Sequence, residues 1–269
     1  MAIVSLCSAK GSPGVTTTAL LTTALWPRPA LLLDADPAGG DVAARVPAAD
    51  GGVLDADRGL LPLLTAARRG LGAEQVLAQA QQLAGGAQAV CGLGTPEQAV
   101  AAGPAWPALA AAAAELGRRR EAVDVVVDAG RLGADPLVLP LLRESAVVVL
   151  VVRADVSGVL HARERLRALT TSLRRADGLL PRLGVVRVGP PHRGDEEVGR
   201  LLRSAGDRVD DFGRLPLDPA GAAVFDGART ARPERTALVR AGRTLVGALA
   251  AAAGAGPRSR RAGTAEEAA

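Results

Sequence analysis

The chemistry this chain can do is concentrated in one short stretch, Lys10-Gly11-Ser12-Pro13-Gly14-Val15-Thr16-Thr17-Thr18. The stretch joins an apolar segment that reads as a strand, residues 2–7, to one that reads as a helix, residues 14–25. A glycine-rich turn from a strand into a helix gathers backbone N–H groups, and the helix dipole favours an anion there. Gly11 and Gly14 permit the tight backbone. Thr16 or Thr17 falls in the first helical turn, where a hydroxyl can reach a Mg²⁺ ion at a bound phosphate. A ligand-free βα turn can share the G-x-x-G-x-T spacing. What separates this one is Lys10, because the chain's 32 basic residues are all arginines except that one.

Carboxylates follow at matching positions. Residues 30–33 read as a second strand, and Asp34-Ala35-Asp36-Pro37-Ala38-Gly39-Gly40-Asp41 comes directly after it. An acid at the C-terminal end of a parallel strand faces the ligand crevice. In Val123-Asp124-Val125-Val126-Val127-Asp128, the apolar run delivers Asp128 to a strand end beside the loop. There it can hold Mg²⁺ through water. The plainer alternatives are a Pro-Gly turn with solvated acids and a strand that happens to end in an acid.

The elements that must position these groups alternate as strand, loop and amphipathic helix. Strands are expected at 88–91, 123–127, 146–152 and 183–188. Helices are expected at 60–69, 73–83, 156–175, 196–204, 220–225 and 234–253. Residues 97–120 read as helix-rich but broken at Pro104 and Pro107. The strands are near-continuous apolar runs, as in AVVVLVV, which means burial on both faces. The fold class expected is therefore α/β: a three-layer sandwich with a mostly parallel sheet and helices on both faces. One domain spans 1–253, and 254–269 reads as a loose tail.

The loop resembles the deviant Walker A pattern of the ParA/MinD family of P-loop ATPases, K-G-G-x-G-K-T-T. Lys10, Gly11, Gly14, Thr16 and Thr17 match it. Ser12 replaces a glycine, and Val15 replaces the second lysine, which in the family contacts the phosphates. The resemblance implies ATP and Mg²⁺ as cofactors, with residues 10–12 and 14–17 binding nucleotide. It implies that Lys10 reaches across a nucleotide-dependent homodimer, that Asp36 orients the attacking water, and that Thr16 and Asp128 serve the metal. Lys10 and Asp36 are thus the catalytic candidates. Ala129-Gly130-Arg131 would be switch II, and Leu215-Pro216-Leu217-Asp218-Pro219 would lie by the base pocket. The asparagine that many relatives use to read adenine has no counterpart, since the chain contains no asparagine. With Val15 uncharged and Pro13 lacking an N–H, hydrolysis is expected to be weak or lost. The altered loop and short form look most like the TadZ/CpaE group, which positions pilus or secretion machinery. The alternatives are a chromosome or plasmid partitioning ATPase that binds nonspecific DNA, and a pseudo-NTPase scaffold that only docks a protein partner.

Composition narrows the remaining classes. The chain has 269 residues, 48% of them hydrophobic, enough for one large core, while aromatic residues make up 1%. Its net charge of +4 is mild for a nucleic-acid binder. Arg163, Arg167 and Arg174 would share one helix face, either for DNA phosphates or as a solvated surface. Cys7 and Cys91 have no metal-ligand spacing and read as buried thiols of a reducing, cytoplasmic protein. No signal peptide is evident, no apolar run is long enough to span a bilayer, and membrane insertion is not expected. His161 and His192 read as isolated.

Overall fold

The strands that sequence reads as unbroken apolar runs form the middle of an eight-stranded sheet. The computed structural model describes residues 2–11, 13–175, 177–191, 195–204 and 209–256, with backbone alone at 195 and 197. In chain order the elements are β1 (Ile3–Ser8), α1 (Val15–Ala24), β2 (Ala30–Asp34), α2 (Val42–Arg45), α3 (Leu60–Ala66), α4 (Ala73–Ala78), β3 (Gln81–Gln82), β4 (Gln88–Val90), α5 (Pro96–Ala101) and α6 (Trp106–Leu116). They continue with β5 (Asp124–Arg131), α7 (Leu139–Glu144), β6 (Val147–Arg153), α8 (Val156–Ser172), β7 (Arg182–Val188), α9 (Asp195–Arg203), β8 (Val209–Leu215), α10 (Pro219–Phe225) and α11 (Ala237–Gly254).

The sheet order is β3-β4-β2-β5-β1-β6-β7-β8, and only the β3–β4 pair is antiparallel. β1 lies between β5 and β6. From there the chain leaves in opposite directions, through β2 on one side and through β6, β7 and β8 on the other. Such a reversal opens a crevice at the strand C-termini.

Alternate residues of the central strands feed two separate cores. Ile3, Cys7, Val125, Val127, Val148 and Leu150 pack on the side of α6 and α8. Val4, Leu6, Val126, Val147 and Val149 pack on the side of α1 and α11. Burial on both faces is why these strands do not alternate in polarity, and the three-layer α/β expectation holds.

Several boundaries differ from the sequence reading. The segment expected to be helical to residue 83 ends at Ala78, and Gln81–Gln82 pairs with β4 instead. Pro107 does not break a helix, because it lies in the first turn of α6, where its missing N–H costs nothing. β8, the short α2 and α7 are additions. At the N-terminal end of β5, the buried Asp124 carboxylate accepts hydrogen bonds from the Ala2 N–H (2.7 Å), Trp26 Nε1 (2.8 Å) and Arg28 Nε (2.7 Å). This knot closes the end of the sheet opposite the crevice. Residues 257–269 of the anticipated tail, and His192, lie outside the described residues.

Candidate functional site

The loop after β1 turns on two glycines with left-handed backbone, Gly11 (φ 72°) and Gly14 (φ 87°). A Cβ added at either glycine would meet open space, so the torsion alone selects glycine. Gly14 is the residue that caps α1, and no side chain caps that end. The first-turn N–H groups of this ten-residue helix are therefore available to an outside acceptor. Thr18 Oγ1 donates to the Gly14 carbonyl at 2.7 Å and fixes the turn from inside. Ser12 lies outside the described residues.

Val15 is only 7% exposed and belongs to the apolar core beneath α1. The position resembling the family's second lysine thus serves packing. Thr16 and Thr17 are half-buried in the first turn.

Asp34 ends β2 and Asp128 lies in β5, and the two are register partners on neighbouring parallel strands. Both are 0% exposed. Asp34 Oδ2 accepts the Val42 N–H at 3.2 Å, and Asp128 Oδ1 accepts the Gly130 N–H at 3.0 Å. Asp34 Oδ1 and Asp128 Oδ2 have no hydrogen-bond partner. Burial raises the pKa of both carboxyls, and each is raised further by neighbouring carboxylates: Asp34 by Asp128, and Asp128 by Asp36 and Asp41. For Asp128 the Thr16 hydroxyl and the Gly130 N–H act in the opposite direction. Asp34 is wedged between Gly40 and Gly92; a Cβ on Gly40 would stand 2.5 Å from its Oδ2, and one on Gly92 2.8 Å from its Cγ.

Asp36 Oδ1 accepts the Ala38 N–H at 2.8 Å. Its pKa is raised by burial, against the lowering effect of that bond and of Arg131. Its carboxylate lies directly over Gly130, where φ is +57°.

These features bear on whether Mg²⁺ and a phosphate chain fit. Two buried acid oxygens without partners, at the end of the sheet where the loop turns, are suited to a cation and cost free energy without one. Among the described residues, no cluster of three or more His, Cys, Asp or Glu side chains is arranged to hold a metal. That suits an ion completed by phosphate oxygens and water, as Mg²⁺ usually is. Thr16 and Asp128 would hold it. Beside the loop lies a cavity of about 420 Å³, lined by Pro13, Gly14 and Thr17 and by the segments 153–155, 188–190 and 215–219. Its size suits a nucleoside.

The expected site residues Lys10, Gly11, Gly14, Val15, Thr16, Thr17, Asp36 and Asp128 thus all belong to the loop, its helix, or the neighbouring ends of β2 and β5. Lys10 is exposed, and its Nζ lies 3.1 Å from His161 Nε2 on α8. His161 is therefore not isolated, contrary to the sequence reading. Asp34, to which sequence reasoning assigns no role, joins the site; its signal in the sequence is the D-x-D spacing with Asp36 and the following Gly39-Gly40. Cys7 is fully buried with its thiol pKa pushed up to about 12, which removes it as a nucleophile.

On α8 the arginine face is less free than expected. Arg167 pairs with Glu164 at 2.9 Å, and Arg163 is half-buried. No helix among the described residues is long and apolar enough to cross a membrane.

No protein-family model matches the sequence, and no curated protein does. Solved structures do match. A ParA family ATPase from Chlorobium tepidum TLS is 16% identical, with a TM-score of 0.68 over 91% of this chain and 96% of that one. MinD from Pyrococcus horikoshii OT3, complexed with Mg-ADP, is 18% identical, with a TM-score of 0.63 over 92% and 95%. A McdA–ATP complex from Cyanothece is 13% identical, with a TM-score of 0.68 over 97% and 98%. At these identities the likeness is one of fold.

Proposed function

We propose that this chain is a nucleotide-dependent switch that binds ATP with Mg²⁺ at the loop after β1 and closes into a homodimer to position a larger assembly. The observation that carries the reading is the pair Asp34 and Asp128, whose unpartnered oxygens lie at the sheet end from which the Gly11–Gly14 loop enters α1. Solved structures that share the fold include complexes with Mg-ADP and with ATP.

In this reading the uncapped N–H groups at the start of α1 bind phosphate oxygens, and the helix dipole adds to that attraction. Bound Mg²⁺ would neutralise phosphate charge and polarise the terminal phosphoryl group. Thr16 and Asp128 hold the ion, Asp36 orients water, and Lys10 leaves His161 to meet the partner's nucleotide. Hydrolysis is slow, because Val15 packs in the core and brings no charge to the phosphates. One lost transition-state contact of ~3 kcal/mol lowers a rate by about 100-fold. The assembly positioned is pilus or secretion machinery, a reading supported by the altered loop alone.

Sedimentation velocity tests the switch directly. ATP with Mg²⁺ shifts the protein from monomer to dimer, and Lys10→Ala abolishes the shift. A protein that binds ATP and stays monomeric at all concentrations contradicts the dimer model.

A further inference from the structure

The loop presents one lysine, Lys10, and nothing charged at position 15. A second cation nevertheless reaches its helix from elsewhere in the chain. Arg45 is the last residue of α2, the short helix that follows the Asp34–Asp41 segment. Its Nη2 donates to Thr17 Oγ1 in the first turn of α1 at 3.1 Å, and to Asp226 Oδ1, just past α10, at 2.8 Å. The Arg45 and Asp226 side chains are 31% and 32% exposed, so the guanidinium is held at the rim of the loop and remains in contact with solvent. Among the described residues, its Nη1 and Nε donate to no protein atom.

We infer that Arg45 is a phosphate-binding residue, supplying from α2 the cation that Val15 does not. This rests on the nucleotide-binding reading above. Thr17 belongs to the helical turn whose N–H groups are open to an anion, so a guanidinium on its hydroxyl stands beside the phosphate chain. A guanidinium offers a planar fork of donors that matches phosphate oxygens, and its unused N–H groups are the ones needed. Asp226 holds the guanidinium in reach before the anion arrives. Because Arg45 ends the element leading from Asp36, nucleotide engagement would also fix that segment against α1.

A purely structural staple between α1, α2 and α10 would use the same two hydrogen bonds, and phosphate counting separates the two roles. The full-length protein, Arg45→Gln, Arg45→Lys and Asp226→Asn are titrated calorimetrically with ATP, ADP and adenosine in Mg²⁺, and folding of each is checked by melting. Arg45→Gln weakens ATP by about tenfold or more, ADP by less and adenosine not at all, because the lost contact is to phosphate. Arg45→Lys recovers part of the ATP affinity. Asp226→Asn keeps ATP affinity within a few-fold, since the amide oxygen still accepts from Arg45 and holds it in reach.

Equal losses for ATP and adenosine, or a loss in Asp226→Asn as large as in Arg45→Gln, would overturn the inference in favour of a staple. Unchanged ATP binding by Arg45→Gln would overturn it while leaving the nucleotide switch intact. An unchanged protein that binds none of the three ligands removes the switch itself, and the assignment of Arg45 falls with it.

Discussion

Asp34 and Asp128 face each other across β2 and β5, both 0% exposed, each with one carboxylate oxygen that no protein group satisfies. Burial raises both carboxyls above their ordinary value, and the charge on Asp128 raises Asp34 further. The folded protein therefore keeps protons that the unfolded chain releases, and stability falls as the pH rises above the ordinary carboxyl value of 3.8. Asp34→Asn keeps an acceptor for the Val42 N–H and removes one charge. It is more stable than the parent at pH 8, by ~1 kcal/mol or more, and the gap narrows towards pH 5. Chemical denaturation at several pH values measures this; a gap that is constant or reversed contradicts the pairing.

Gly130 holds a left-handed backbone at φ +57°, and a Cβ there would fall onto the Asp36 carboxylate. Gly130→Ala costs ~1–2 kcal/mol through backbone strain and displaces Asp36. Single-turnover hydrolysis falls while ATP affinity is largely kept. Retention of the parent rate would mean that Asp36 does not orient the water.

Asp124 lies far from that chemistry, at the other end of β5, and accepts from Ala2, Trp26 and Arg28. Asp124→Ala leaves the buried Ala2 N–H and Trp26 indole N–H without an acceptor, while the exposed Arg28 cation returns to water. A loss of ~2–4 kcal/mol follows from the two stranded donors, read from urea unfolding. A change below ~1 kcal/mol would mean that the knot is dispensable.

Lys10 donates to His161 across an exposed gap of 3.1 Å. His161→Ala changes stability by less than ~0.5 kcal/mol, as at most surface positions, and frees the only lysine. Amine-directed labelling at Lys10, read by peptide mass, then speeds up several-fold. An unchanged labelling rate would show that the contact does not restrain Lys10.

The sequence made the centre of the fold legible because β1, β5 and β6 are buried on both faces and have no alternation to confuse with a helix. The glycine loop, Asp36 and Asp128 were legible for a related reason: each follows directly from an apolar strand. β8, with the sequence VDDFGRL, was missed because an edge strand keeps charged, half-exposed residues. α2 has only four residues and shows no periodicity. The role of Val15 in the core could not be read from a loop motif. Arg45 was invisible for a deeper reason. Its partners, Thr17 and Asp226, are 28 and 181 residues away, and no local pattern announces a contact made by folding.

In the proposed switch, the loop after β1 binds nucleotide with the help of Asp128 and Lys10. Titration of the folded protein with a fluorescent ATP analogue and Mg²⁺, beside Lys10→Ala and Asp128→Ala, tests it most directly. Binding is expected to be saturable, to weaken in both variants and to fall when Mg²⁺ is chelated. No binding up to millimolar nucleotide, in protein whose fold is verified, would contradict it and leave a scaffold that only docks its partners.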